Sequence, residues 1–440
     1  MARSTQPYYE PELETMSREH LRELQETLLR RQVERCYAAS ALYRSKLEAV
    51  GAAPGDVRGL DDLARLPVVT KEELREDQLV HPPFGTFAVA GPAEFREVHP
   101  STGTTGTPVN TIWSARDAET ITNVTARTLW QFGVRPGDVV QNAFAYGLWV
   151  AGLSCHYGAA RLGCLVVPTG TAVSTEKQIA FLQDTNSTVL LATPSYGLHI
   201  AEGLRERDID PAGLSLRLGC FGGEAGAENP STRAKLEVGL GIDAFDYYGL
   251  AEVGPTFASE CEAKAGIHVA EDYVVVECVD PATGEPVAEG ELGVLVFTHL
   301  TREATPVIRY WSNDYARLST EQCVCGRTHV RAVGGIIGRH DDLIVFKGAK
   351  FYPSQVEKIV RRFPILSDEF RIEIRRAGST AHVEACTVVA ELVAAQSADL
   401  EERVLHALRQ ELGVTPTLRL EPFGTLERST FKAARIVKKD

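Results

Sequence analysis

Apolar residues recur at different periods along this chain, and the changes of period divide it. Residues 9–50 read as helical: Leu21, Leu24, Leu28 and Leu29 recur at three- to four-residue spacing, and Val33 and Cys36 continue the face. Ser17 stands where an N-cap would, before a charged first turn. Thr70-Lys71-Glu72-Glu73 opens another helix, with Thr70 as its cap.

From 99 to 221 short apolar runs alternate with amphipathic stretches. Strands are expected at 111–113, 139–143, 164–168, 189–192 and 216–221, separated by helices over 114–132, 150–162, 176–185 and 196–206. This alternation predicts βαβ units and a largely parallel sheet, in which ligands sit at the carboxyl ends of strands. Gly222-Gly223-Glu224 follows one such strand, and Tyr247-Tyr248-Gly249-Leu250-Ala251-Glu252 follows another. Between 272 and 318 the texture becomes antiparallel: strands at 273–278 and 293–297, with a turn at Pro281-Ala282-Thr283-Gly284-Glu285 between them. After the polar junction Gly338-Arg339-His340-Asp341-Asp342, a small α+β unit is expected. Its strands are at 343–346, 370–375 and 382–391, its helices at 353–363 and 397–412. The fold class is α/β. A large N-terminal domain (1–338) has mixed and parallel sheets, flanking helices and a small antiparallel barrel-like portion, and a small α+β domain (339–440) follows it.

Composition adds exclusions. A length of 440 residues suits two or three domains. A net charge of −13 argues against sequence-independent nucleic-acid binding. Met1-Ala2-Arg3-Ser4-Thr5-Gln6 lacks the apolar core of a signal peptide. No apolar run approaches the ~20 residues that cross a bilayer. The expectation is a cytoplasmic protein with no membrane or nucleic-acid partner.

The chemistry concentrates in a few short stretches. Ser101-Thr102-Gly103-Thr104-Thr105-Gly106-Thr107-Pro108-Val109 packs hydroxyls and glycines into one loop. Such a loop offers many donors and lets backbone approach a phosphate, although a solvated turn uses the same residues. Downstream come Gly222-Gly223-Glu224, Tyr248 to Glu252, Arg309-Tyr310 with Asp314, the Gly338–Asp342 junction, and Lys432 within Thr430-Phe431-Lys432-Ala433. Nine cysteines are present. Cys36, Cys155, Cys164, Cys220, Cys278 and Cys386 sit in apolar or mixed surroundings and read as core. Cys261, His268, Cys323 and Cys325 form a possible closed Zn²⁺ set, with His329 as the other candidate ligand, or else unmetallated turn residues.

These features, in this order, resemble the adenylate-forming (ANL) superfamily of acyl-CoA synthetases and adenylation domains. Phe144-Ala145-Tyr146-Gly147-Leu148-Trp149, His156-Tyr157-Gly158, Leu300-Thr301-Arg302-Glu303-Ala304 and Cys323-Val324-Cys325-Gly326-Arg327-Thr328 bring the chain closer to the phenylacetate–CoA ligase branch. The resemblance implies an ATP-dependent, AMP-forming ligase. It would activate an aryl or arylacetic acid to an acyl-AMP and then form the CoA thioester. Ser101 to Gly106 would hold phosphates, and Glu252 would hold Mg²⁺. Gly222, Gly223, Glu224, Tyr247, Tyr248 and Gly249 would meet the adenine, and Asp314 the ribose. Arg339 and Lys350 would lie near nucleotide or CoA. Lys432 would bridge carboxylate and α-phosphate, and Asp341 would be the hinge on which the small domain swings. Phe144, Tyr146 and Trp149 would wall an aromatic acid pocket floored by Gly222 and Gly223. Structural Zn²⁺ and a homodimer are further expectations of the same resemblance.

Two departures stand out. Relatives usually carry Lys at the position of Thr107 and a hydroxyl residue at that of Ala251. Similar chains also include ligases that hand the adenylate to an amine or a carrier protein, and ATP-dependent diazotases acting on an aryl amine with nitrite. A non-catalytic nucleotide-binding protein is the remaining reading.

Overall fold

The computed structural model describes residues 6–101, 107–376, 382–394, 399–428 and 435–439. Thr102, Gly103, Thr104, Thr105, Gly106 and Lys432, all expected site residues, lie outside the described residues.

The alternating stretch forms a parallel array. Leu165–Val167, Val139–Asn142, Val189–Ala192, Leu218–Phe221 and Asp243–Leu250 lie side by side in that order. Val189, Leu190 and Leu191 are fully buried because helices cover both faces of the array. From Asp243–Leu250 the sheet continues with antiparallel neighbours: Gly254–Glu260, Ile267–Val269, Arg331–Ala332, Tyr310–Ser319, Leu292–His299 and Val274–Val279. The expected parallel and antiparallel portions are thus halves of one twelve-stranded sheet. Asp243–Leu250 joins the halves, and it contains Tyr247 and Tyr248 instead of ending before them.

The amino-terminal helical region is broken where hydroxyl caps occur. Ser17 accepts from His20 N and starts Arg18–Ala39, and Ser40 accepts from Tyr43 N and starts Ala41–Ala49. Thr70 and Glu73 form the reciprocal capping box that starts Lys71–Val80. Pro230–Leu240, a helix capped by Asn229 with proline in its first turn, is an element the apolar period alone did not reveal.

A hairpin of Phe95–Pro100 and Asn110–Ser114 presents the hydroxyl loop. Its base is closed twice: Ser101 N donates to Val109 O at 2.8 Å, and Val109 N donates to Ser101 Oγ at 3.0 Å. The helix Lys71–Val80 lies along the outgoing leg. Arg75 Nε donates to Thr107 O at 2.8 Å and Gln78 Nε2 to Pro108 O at 3.0 Å, while Gln78 Oε1 accepts from Asn110 N at 2.7 Å.

The carboxyl-terminal residues build a six-stranded sheet with the helices Pro353–Val360 and Leu400–Leu412. Their hydrophobic cluster runs from Ile344 to Leu418 and, among the described residues, includes no buried residue from earlier in the chain. Three strands here, Ala349–Phe351, Thr417–Pro422 and Ile436–Lys439, were not apparent from the pattern, because each is short and partly polar. Polar contacts join this unit to the helix Pro230–Leu240 and to the segment before Gly338: Lys235 Nζ to Asp368 Oδ1 at 2.6 Å, Arg361 Nη1 to Thr232 Oγ1 at 2.5 Å, and Ser354 Oγ to Ile337 O at 3.0 Å.

Candidate functional site

The carboxyl ends of the parallel strands and the first antiparallel neighbours converge on one region. After Leu218–Phe221 the chain turns at Gly222 and Gly223. A Cβ on Gly222 would stand 2.6 Å from Tyr247 Cζ, and Gly223 has φ +87 with its Cβ position 2.9 Å from Trp149 Cζ2. Both positions need glycine because aromatic rings occupy the space a side chain would take. Glu224 turns away from this floor: its Oε1 accepts from Ser195 N at 2.8 Å, in the first turn of the helix Pro194–Glu206.

The three expected pocket aromatics differ in their surroundings. Phe144 is 1% exposed and packs edge-on to Trp149 at 5.3 Å and to Tyr247 at 5.9 Å, so it backs the wall from within the core. Tyr247, 4% exposed, belongs to the same core cluster and supports Gly222 from below. Trp149 and Tyr146 remain partly accessible. The Tyr146 hydroxyl accepts from Asn142 Nδ2 at 2.9 Å and lies 3.2 Å from His156 Nδ1, and burial raises its pKa.

Tyr248 Oη donates to Asp314 Oδ2 at 2.5 Å, and Arg339 Nη1 meets Asp314 Oδ1 at 3.2 Å. Arg339 Nε reaches Asp341 Oδ1 at 3.0 Å. Asp314 is buried on the strand Tyr310–Ser319, and register pairs it with Arg339 on the short strand Gly338–Arg339. Burial, and next the Asp314 carboxylate, push the Tyr248 hydroxyl well up. Expected adenine, ribose and hinge residues thus form one hydrogen-bonded chain leading to the junction. Gly249 beside them is needed sterically, since a Cβ there would lie 1.9 Å from Pro255 O. Lys350 stands exposed on Ala349–Phe351, apart from this chain of contacts among the described residues.

Glu252 occupies the turn between Asp243–Leu250 and Gly254–Glu260, yet it is only 3% exposed. Lys71 Nζ lies 2.9 Å from its Oε1. A carboxylate buried this deeply requires a partner, and sequence reading did not identify Lys71 as that partner. One signal was available: a lysine in the first turn opposes the helix dipole. Glu252 would supply one carboxylate to Mg²⁺, which takes one or two protein carboxylates plus phosphate oxygens.

Cys261, His268, Cys323 and Cys325 converge, with their ligand atoms all within 4.8 Å of one another. Cys261 and Cys323 sulfurs are 3.8 Å apart, and Cys325 Sγ is 3.6 Å from His268 Nε2. Tetrahedral zinc with bonds of about 2.3 Å to sulfur places neighbouring sulfurs about 3.8 Å apart, so the donor set fits that ion. His329 is outside the cluster, and burial pushes its imidazole down.

Two family profiles match the chain: AMP-binding enzyme over residues 64–300, and AMP-binding enzyme C-terminal domain over residues 348–439. A phenylacetate-coenzyme A ligase of Thermus thermophilus is 41% identical over 440 residues, spanning 96% of this chain and 97% of that protein. The phenylacetate-coenzyme A ligase of Escherichia coli is 37% identical, with 96% of each chain covered. Among solved structures, 2-hydroxyisobutyryl-CoA ligase in its postadenylation state with 2-HIB-AMP has a TM-score of 0.94 at 29% identity, covering 100% of this chain and 94% of that one. The same ligase with 2-HIB-AMP and CoA in its thioesterification state gives 0.76. The arrangement here is therefore nearer the postadenylation one.

Proposed function

The chain belongs to the AMP-binding enzyme family, and from that premise we propose that it is an ATP-dependent, AMP-forming ligase that converts an aryl or arylacetic acid to its CoA thioester. The observation that carries this reading is the buried Asp314, held between Tyr248 and Arg339 at the carboxyl end of the sheet. The names of the relatives, which span nearly the whole chain, supply the acid class and the acceptor.

In the first half-reaction, a carboxylate oxygen bonds to the α-phosphorus of ATP. The bond from that phosphorus to its bridging oxygen breaks, and the electron pair leaves on pyrophosphate. The hydroxyl loop from Ser101 to Gly106 receives the phosphates, Asp314 accepts from the ribose, and Tyr248 with the Gly222–Glu224 segment borders the adenine. Glu252 would hold Mg²⁺, which would supply charge neutralisation. Lys432, by the family resemblance, would bridge carboxylate and α-phosphate and offset the growing negative charge. Trp149 and Tyr146 face the acid over Gly223. In the second half-reaction, the CoA sulfur bonds to the acyl carbon, the bond from that carbon to the phosphate oxygen breaks with its electron pair leaving on AMP, and the thiol proton passes to solvent.

Residues 1–338 form the ATP- and acid-binding domain in this reading, and residues 339–440 swing about Asp341 to exchange Lys432 for the CoA side, with Lys350 and Arg339 near nucleotide or CoA. The separate hydrophobic cluster beyond Ile344 supports this division. The Cys261–His268–Cys323–Cys325 cluster would hold a structural Zn²⁺. A cytoplasmic homodimer completes the reading; no described helix is long and apolar enough to cross a membrane.

A pyrophosphate-release screen over aryl acids, with and without CoA, tests the proposal. Aryl amines with nitrite form a parallel arm. Release with aryl acids and CoA-dependent thioester formation is the expected result. Release only with amines and nitrite would overturn it.

A further inference from the structure

The geometry points to Lys71 as the cation that meets the β- and γ-phosphates of ATP, with Arg75 positioning the adjoining loop. The inference rests on the reading of the chain as an ATP-using ligase. The stretch from Ser101 to Val109 contains no lysine or arginine. A departing pyrophosphate nonetheless needs positive charge near it as the α-phosphorus–oxygen bond breaks. That charge must come from elsewhere in the fold.

The helix Lys71–Val80 is placed to supply it. Lys71, Arg75 and Gln78 are four and three residues apart and share one face. Arg75 and Gln78 bind the carbonyls of Thr107 and Pro108, at 2.8 and 3.0 Å, so this face is stitched to the outgoing leg of the loop. Lys71, one turn earlier, is thereby held on the side of Glu252, 2.9 Å from its carboxylate. The Lys71 side chain keeps 25% of its surface exposed whereas Glu252 keeps 3%. An ammonium has three donors, and one contact to Glu252 leaves two for phosphate oxygens.

The helix is also anchored to the nucleotide side of the sheet. Val69 N donates to Arg309 O and Trp311 N donates to Val69 O, each at 2.9 Å, tying the segment before the cap to the start of the strand bearing Asp314. Lys71 thus has a fixed place relative to both the expected ribose acceptor and the expected Mg²⁺ ligand. Its unfavourable position in a first helical turn is offset by the buried carboxylate it faces. The alternative is an ion pair that serves only to neutralise Glu252.

Calorimetric titration of the full chain with Mg·ATP, with metal-free ATP and with AMP separates the two roles, because AMP lacks the phosphates that Lys71 would touch and metal-free ATP does not draw on Glu252, so a phosphate contact predicts that Lys71→Ala weakens both forms of ATP. Lys71→Ala is expected to weaken Mg·ATP binding by about tenfold or more, as for loss of a charged phosphate contact, and AMP binding by less than about twofold. Lys71→Arg should retain Mg·ATP binding, and the double variant K71A/T107K should recover part of it by placing a cation on the loop. Should Lys71→Ala not fold, Lys71→Gln, which removes the charge but keeps most of the side chain's bulk, gives the same comparison. Equal weakening of ATP and AMP, or unchanged Mg·ATP binding, would overturn the inference while leaving the ligase reading intact. A wild-type chain that binds neither nucleotide would overturn both.

Discussion

The phenol of Tyr248 donates to the carboxylate of Asp314 across 66 positions of sequence, at 2.5 Å, and Arg339 takes the other carboxylate oxygen at 3.2 Å. Asp314 is thereby fixed in orientation at the carboxyl end of the sheet. Ribose hydroxyls arriving there would find a preorganised acceptor. Asp314→Ala is expected to weaken ATP binding by about tenfold or more, since a hydrogen bond to a charged group contributes about 1.5–3 kcal/mol. The discriminating measurement uses 2′-deoxy-ATP and 3′-deoxy-ATP. At least one should bind the wild type less well than ATP does, and the variant should lose that discrimination. Full discrimination in the variant would remove Asp314 from the ribose site.

For Lys432→Ala, pyrophosphate release with an aryl acid is expected to fall at least about a hundredfold, the scale seen when one preorganised stabilising group is lost from a transition state. Melting temperature should stay close to that of the wild type. Unchanged release refutes the assignment.

The cysteine–histidine cluster is clasped by the start of the chain. Tyr8 Oη donates to Cys325 O at 2.8 Å, and Arg327 Nε donates to Glu14 Oε2 at 2.7 Å. Metal analysis should return one zinc per chain. Chelation, or Cys323→Ser, should lower the melting temperature and speed proteolysis within residues 6–18, because the clasp depends on the knuckle's shape. Less than about half an equivalent of zinc, with no loss of stability on chelation, is the outcome that sinks the site.

Glu228 sits where the two parts of the chain meet. Burial, and then repulsion from Glu357, hold its carboxyl up at about 7, against the lowering effects of the Gly226 N–H and Arg361. Asp246 is pushed the same way by burial and by Glu228, with Glu260 adding to it and Arg233 opposing it. In the unfolded chain Glu228 deprotonates near 4.5. Between that value and about 7 the folded state therefore binds more protons, and stability falls as pH rises. Thermal melts from pH 5 to 8 should show this decline, and Glu228→Gln should flatten it. An identical slope in the variant would assign the decline to other groups.

Gly249→Ala should be destabilising by roughly 1–3 kcal/mol or more, because the new Cβ would overlap a backbone carbonyl that cannot rotate away. Denaturant unfolding measures this directly, with a wild-type midpoint as the disproof.

Much of this protein was determined by the sequence itself. Ser17 and Thr70 begin helices through contacts spanning only a few residues. The alternation of Val139–Asn142, Val189–Ala192 and Leu218–Phe221 with amphipathic stretches dictates a covered parallel array. The hydroxyl loop, Tyr248, Glu252, Asp314 and the Cys261–His268–Cys323–Cys325 set were legible as residue types in order. The tertiary structure alone decided their neighbours. It put Phe144 and Tyr247 into the core behind Trp149 and Gly222, turned Glu224 to the first turn of a helix, and set Lys71 against Glu252 and Arg75 against Thr107. Caps and apolar periods act within a turn or a strand, so the local order of residues is enough to specify them. An ion pair between a helix near the start of the chain and a turn in the middle depends on how strands are ordered and where that helix docks, and no local pattern encodes that distance.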